Sequence, residues 1–279
     1  MRLSIFKLIL LGLFVAAVPA IAQADDLSAL ARPVARCTQA RLNNSYMGLG
    51  VGAVEIPGNP LTGPFRRLFR AVFNAAGDIN VTAAYSSFNG VIFGKDTFPG
   101  TYTVNSDCTV TINLNLPAPL GFTATFEGVL SADFSELDFT LGNFPTSQGG
   151  TLVGHLAKQK IDECSVADLF GPYAFQLQGT VVTPAAQAGD FARLGLLIAN
   201  GAGGFTANTS ADYNGATTTE SLAGTYTLDS DCILTLEYNT PKGSITVWGG
   251  LTNGGTGADL LQISPVGAAI AGTLYQAGR

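Results

Sequence analysis

A nine-residue stretch occurs twice in the chain. Gly100-Thr101-Tyr102-Thr103-Val104-Asn105-Ser106-Asp107-Cys108 returns as Gly224-Thr225-Tyr226-Thr227-Leu228-Asp229-Ser230-Asp231-Cys232, with seven of the nine positions identical. Such a copy marks an internal duplication, and a duplication binds both halves to one kind of fold. The flanks extend it. Cys37, Leu42, Tyr46 and Gly52 match residues 127 further on (164 − 37), namely Cys164, Leu169, Tyr173 and Gly179. Phe65, Arg67 and Asn74 match Phe191, Arg193 and Asn200 at an offset of 126 (193 − 67). Asn89-Gly90 match Asn214-Gly215 at 125 (214 − 89), and Gly150-Thr151-Leu152 match Gly272-Thr273-Leu274 at 122 (272 − 150). The offset shrinks stepwise, as short deletions in loops would make it. Two repeats are expected, over residues 37–158 and 162–279, behind a lead-in of residues 25–36.

Each repeat reads as strands. Cys108, Val110, Ile112 and Leu114 alternate with Thr109, Thr111, Asn113 and Asn115, and Cys232, Leu234, Leu236 and Tyr238 do the same. A period of two gives one apolar and one polar face. Asn105-Ser106-Asp107 between two such runs predicts a hairpin, because Asn, Ser and Asp bond their own backbone in tight turns. About eight strands per repeat, joined by short turns, predict an all-β chain of two tandem antiparallel up-and-down barrels, since closure removes exposed edges. A pair of β-sandwiches is the alternative. Charged residues are only 12% of the chain and Gly reaches 34 residues, which suits turn-rich β structure.

The N-terminus carries Arg2 and Lys7, an apolar run from Leu8 to Val18, and small residues at Ala20, Ala22 and Ala24. That is the pattern of a secretory signal peptide, here residues 1–24. The protein is expected to be exported, to the periplasm, the cell surface or the extracellular space. No later stretch is apolar for long enough to cross a membrane as a helix, so no transmembrane segment is expected in the mature chain. The whole chain has net charge −6; without Arg2 and Lys7 it is about −8 (12 cations minus 20 anions). An acidic chain is a poor partner for nucleic acid.

Four cysteines in an exported chain point to disulfides. Their spacings of 71 (108 − 37), 56 (164 − 108) and 68 (232 − 164) contain no Cys-x-x-Cys, so no zinc site is expected. Each repeat has one cysteine at its start and one after the shared hairpin. The duplication therefore favours Cys37 with Cys108 and Cys164 with Cys232.

The pattern Gly-Thr-Tyr-Thr followed by Asp-Cys, carried by Gly100, Thr101, Tyr102, Asp107, Cys108 and their copies through Cys232, resembles secreted bacterial β-barrel proteins of unknown function. These are similar in outline to calycin and allene-oxide-cyclase-like barrels. The resemblance implies a barrel and no particular activity, and no catalytic residue is carried over.

Candidates for chemistry are few. His155 is the only histidine, and no Gly-x-Ser-x-Gly surrounds a serine. Asp107 and Asp231 recur, but an Asp at a hairpin tip bonds its own backbone. Arg67 and Arg193 also recur; an exposed strand arginine is the expected state, since a buried one needs a carboxylate. Arg66, Arg67 and Arg70 could form a small anion site, but the second repeat keeps only Arg193, which argues against one. Glu127 lies on the polar face of its strand and Trp248 sits near the matching place; they would touch a ligand if those faces pointed into the barrel, and face solvent otherwise. No cofactor or metal is expected. The leading expectation is a non-catalytic protein of envelope structure or surface interaction, its partner an envelope component. The alternative is a module holding a small apolar ligand in a barrel pocket, with Glu127, Trp248 and His155 as candidate contacts. An enzyme on a cyclase-like barrel stands third.

Overall fold

In the computed structural model, residues 37–117, 120–143, 149–159 and 163–278 are described. The expected signal peptide and lead-in lie outside them. Nine strands come first: β1 (Ser45–Glu55), β2 (Gly63–Phe73), β3 (Asp78–Phe88), β4 (Val91–Gly94), β5 (Phe98–Val104), β6 (Thr109–Asn115), β7 (Thr123–Leu130), β8 (Glu136–Asn143) and β9 (Gly149–Lys158). They run antiparallel in the order β2-β1-β9-β8-β7-β6-β5-β3-β4, and a further β2–β3 pairing closes eight of them into a ring with β4 hung on β3. Eight more form a second closed barrel: β10 (Phe170–Val181), β11 (Gly189–Asn200), β12 (Gly204–Tyr213), β13 (Ala216–Leu228), β14 (Ile233–Thr240), β15 (Gly243–Thr252), β16 (Gly257–Ser264) and β17 (Ala268–Gln276). The chain is all-β, two closed antiparallel barrels in tandem, as the repeat and the strand period predict.

Each lumen is a separate core. Phe65, Phe69, Phe73, Tyr102 and Phe126 fill the first; Phe175, Phe191, Phe205, Tyr226 and Tyr238 fill the second. The duplicated tyrosine fastens one end of each. Tyr102 Oη donates to the carbonyls of Gln39 (3.0 Å) and Asn74 (2.6 Å), and Tyr226 Oη to those of Val166 (3.0 Å) and Leu169 (2.8 Å). In both repeats the tyrosine thus ties down a short 3-10 turn, Gln39–Leu42 or Val166–Asp168, that precedes the first strand.

The disulfides Cys37–Cys108 and Cys164–Cys232 secure the same end, joining the lead into each barrel to its shared hairpin. Cys108 and Cys232 were expected on an apolar strand face. They stand instead one residue before the strand, in the left-handed region at φ 71° and 62°. A three-residue hairpin loop needs a left-handed last residue, and the cysteine fills that position. The aspartates differ between copies. Asp107 Oδ1 accepts from Thr109 N at 3.1 Å, a local turn bond, whereas in the second copy Asp229 does this work. That frees Asp231 to reach Arg70 of the first barrel at 3.1 Å.

The barrels pack through their outer faces. Met47, Leu49 and Leu68 of the first meet Trp248, Leu261 and Ala271 of the second in a third apolar cluster. The Tyr85 and Trp248 rings lie 4.9 Å apart. Backbone and side-chain bonds cross as well: Gly267 N donates to Gly90 O at 2.7 Å, and Ser87 Oγ to Ala268 O at 2.9 Å. Strands β15 to β17 are therefore buried on both faces over much of their length, and their period of two disappears.

Candidate functional site: the barrel lumens and the cleft between them

Arg67 and Arg193 occupy the same place, each inside its barrel. Both are buried, with 7% and 2% of their surface exposed, which corrects the expectation of exposed strand arginines. The physical reason is register. Arg67 shares the inward face of β2 with Phe65 and Phe69, while Arg66 and Arg70 alternate outward. The same alternation separates Arg66, Arg67 and Arg70, because Arg67 points into the barrel while Arg66 and Arg70 point out of it.

The two arginines have different surroundings. In the second barrel Arg193 Nη2 donates to Glu220 Oε2 at 2.6 Å and to Tyr213 Oη at 2.9 Å, and Nη1 donates to Tyr238 Oη at 3.2 Å. The charge is matched inside the protein. In the first barrel Arg67 has one hydrogen bond among the described residues, from Nε to Ser86 Oγ at 2.7 Å. Its guanidinium carbon lies 5.6 Å from the centre of the Phe65 ring and 5.4 Å from that of Phe98. Strand pairing aligns the missing partners. Tyr213 faces Phe191 as Phe88 faces Phe65, and Tyr238 faces Gly224 as Leu114 faces Gly100. Glu220 corresponds to Asp96 (220 − 124), but the single strand β13 is broken here into β4 and β5, with Lys95 at φ 59°. Asp96 acts on Arg67 only through space. Burial pushes the Arg67 guanidinium down to about 10, against the upward pull of Asp96.

Arg67 also lines a cavity of about 40 Å³, walled by apolar side chains such as Phe98, Ile112, Leu114 and Phe126, with Thr151 at its rim. That is space for roughly three waters. A small-molecule site of the usual kind needs about 300–1,000 Å³. The lumen is thus too full for a ligand of that size.

A larger space lies outside, in a cleft of about 860 Å³ between the barrels. Glu127, Val129 and Val153 line it from the first barrel, with Gln176 and Gln178 from the second, and His155 stands at its inner wall. Glu127 and Trp248 point outward, so neither reaches a lumen. Glu127 is exposed and accepts from Thr111 Oγ1 at 2.9 Å. Trp248, at the equivalent register position, is buried in the interface. The structure brings Glu127 and His155 to one cleft and puts Trp248 elsewhere.

His155 Nε2 lies 3.0 Å from Asp259 Oδ1 across the barrel boundary. The bond to Asp259 raises the imidazole above its ordinary value, against burial, with Asp138 and Glu136 adding smaller upward pulls. Asp259 Oδ2 is buried without a hydrogen-bond partner among the described residues. The pair links β9 to β16 across the barrel boundary. Arg66, also in the cleft, donates to the Phe65 carbonyl at 2.8 Å, and burial lowers its guanidinium.

Comparing the two copies position by position would have found this interface. Met47, Leu49 and Val51 correspond to Ala174, Gln176 and Gln178, and Trp248 corresponds to Glu127. An outward position that is large and apolar in one copy and polar in the other marks the face covered by the sister barrel.

These features define a class, the tandem eight-stranded antiparallel barrel protein with disulfide-tied barrel ends. No protein-family model and no curated protein matches the chain. Several solved structures are similar in part. A protein assigned as AttH from Nitrosomonas europaea is 10% identical with TM-score 0.28, over 84% of this chain and 92% of that one. Transferrin binding protein B from Haemophilus parasuis is 8% identical with TM-score 0.29, over 83% and 75%. A protein of unknown function from the DUF3598 family of Nostoc punctiforme is 11% identical with TM-score 0.23, over 86% and 97%. Scores this low carry neither fold detail nor activity across.

Proposed function

We propose that this is an exported, non-catalytic binding protein whose two repeats act as domains and whose ligand site is the cleft between them. The observation that carries the reading is the cleft's volume, about 860 Å³, in the range of small-molecule sites. Its walls mix exposed apolar side chains, Val129 and Val153, with Glu127, Gln176 and Gln178. That mixture suits a small amphipathic molecule. Export is supported by the expected signal peptide and by four cysteines held in two disulfides, a state favoured outside the cytosol.

Thermal unfolding of the mature protein against a panel of lipids, quinones and aromatic acids tests it, because a ligand raises the midpoint by mass action. A clear shift for one compound is expected, absent in Val129→Glu/Val153→Glu. A shift that survives in that variant, or turnover of the compound, contradicts the reading.

A second reading, contact with an envelope component, is favoured by the outer face of β11. Leu194, Leu196 and Ile198 stand exposed there in a row, an apolar stripe of the kind that marks interaction surfaces. Replacing the three with serine should abolish retention of the protein on isolated envelopes if this reading holds, and leave it unchanged otherwise.

A further inference from the structure

We infer that the outer face of β10–β12 in the second barrel is a self-association surface, on which a second copy of this chain docks about a two-fold axis. The duplication shows what covers such a face. Leu194 corresponds to Leu68 (194 − 126), on the outer face of the first barrel. Leu68 is fully buried there, because a barrel of this same chain covers it with Trp248, Leu261 and Ala271. Leu194 is 61% exposed. Beside it stand Leu196 and Ile198 on the same strand, and Phe170, Pro172 and Ala174 on β10, all exposed. Register makes them one patch: Leu196 pairs with Ala174, and Ile198 with Pro172. The face that the first repeat buries under its sister is open and apolar on the second.

Charge selects the partner. The outward neighbours of Leu194, Leu196 and Ile198 across the strand pairs are Gln176, Ser210, Asn208 and Thr206, besides Ala174 and Pro172, and all are uncharged. The carboxylates on these strands, Asp190 and Asp212, lie beyond Leu194, at the end away from Ile198. An acidic chain repels its own copy where carboxylates meet, so two copies approach best through an uncharged apolar face. The other faces of a second copy fit less well. Its β15–β17 face is already covered by its own first barrel. Its β7–β9 face carries Glu127, Thr140 and Val153 where the second barrel has Trp248, Leu261 and Ala271. Docking there would bury Glu127 against leucines with no cation to match it. The stripe therefore fits the same stripe of the second copy, and a patch that meets itself is two-fold symmetric. A face three strands wide is small for an interface, so the dimer is weak and reversible. The envelope component of the second reading would use the same residues, and the experiment separates the two.

Sedimentation velocity of the mature protein between about 1 μM and 1 mM is the test. A reversible shift from monomer to dimer is expected, with no larger species. Leu196→Glu places a carboxylate from each copy in the contact and should weaken the dimer roughly hundredfold or more. The triple variant Leu194→Ser/Leu196→Ser/Ile198→Ser should weaken it as well, without adding charge. All three side chains are exposed, so both variants should keep the wild-type circular dichroism. Val129→Glu/Val153→Glu changes only β7 and β9 and should dimerise as the wild type does. Four results would each overturn the inference: wild-type protein that stays monomeric over the range, growth beyond the dimer, a dimer undiminished in Leu196→Glu, or a dimer lost in Val129→Glu/Val153→Glu. Monomeric wild-type protein that isolated envelopes retain through the stripe would give the surface to the envelope component instead.

Discussion

The two barrels descend from one sequence and handle one arginine in two ways. Arg193 lies among Glu220, Tyr213 and Tyr238 and behaves as part of a closed core. Among the described residues Arg67 has Ser86 and two aromatic faces, in a lumen that retains some space. The difference comes from a few positions: Phe88 where the second copy has Tyr213, Leu114 where it has Tyr238, and a strand that breaks near Lys95 where β13 runs on. A duplicated fold can keep its frame while its two copies differ in the groups around a buried charge. The frame itself is shared, from the tyrosine at the barrel end to the disulfide beside it.

The shared frame makes the largest effects equal in the two halves. The disulfides close loops of 71 and 68 residues. Removing either by paired Cys→Ala substitution should cost about 4 kcal/mol on the chain-entropy account. Denaturant unfolding would show it, and a much larger cost in one half would break the equivalence of the barrels. The next effect is unequal. Glu220→Ala leaves Arg193 buried without its carboxylate and should cost about 3 kcal/mol or more. Asp96→Ala at the corresponding place should cost under about 1 kcal/mol, since Asp96 does not touch Arg67. Similar costs for the two would show that Asp96 partners Arg67 after all.

Tyr102→Phe and Tyr226→Phe should each lose about 1–2 kcal/mol, because each leaves two carbonyls at a barrel end short of a donor. Near-equal losses would confirm that the motif seals both barrels alike. The smallest effect lies between the barrels. The bond to Asp259 raises His155 above its ordinary value of 6.5, so the folded protein binds the proton more tightly than the unfolded chain. The stabilisation is complete below the unfolded value and fades as pH rises through the folded one. Wild-type protein should therefore lose stability relative to His155→Gln as pH climbs above 6.5; parallel pH profiles would remove the link from the account.

Much of the frame was legible in the sequence. The repeat and its shrinking offset give the two-barrel organisation, the period of two gives the strands, and the placement of Cys37, Cys108, Cys164 and Cys232 gives the pairing. The candidate sites were less legible, and the reason is geometric. A period of two separates two faces without saying what each one meets. An exposed Arg67 is expected because a buried arginine needs a carboxylate, yet it points inward with Phe65. Glu127 and Trp248 occupy equivalent register positions on outward faces. What covers those faces, solvent in one case and the sister barrel in the other, depends on how the barrels dock. His155 found its partner 104 residues away, across that same junction.

The central claim is that the same buried arginine is neutralised by a carboxylate in one barrel and has no carboxylate contact among the described residues in the other. The most direct measurement is the unfolding free energy of Arg67→Met and Arg193→Met, side by side. Arg193→Met strands Glu220 in the core and should destabilise the protein by about 3–5 kcal/mol. Arg67→Met removes a buried cation that has no carboxylate and should leave stability unchanged or raise it by about 1 kcal/mol. Equal losses in the two variants would mean that both arginines are structural, and would contradict the account.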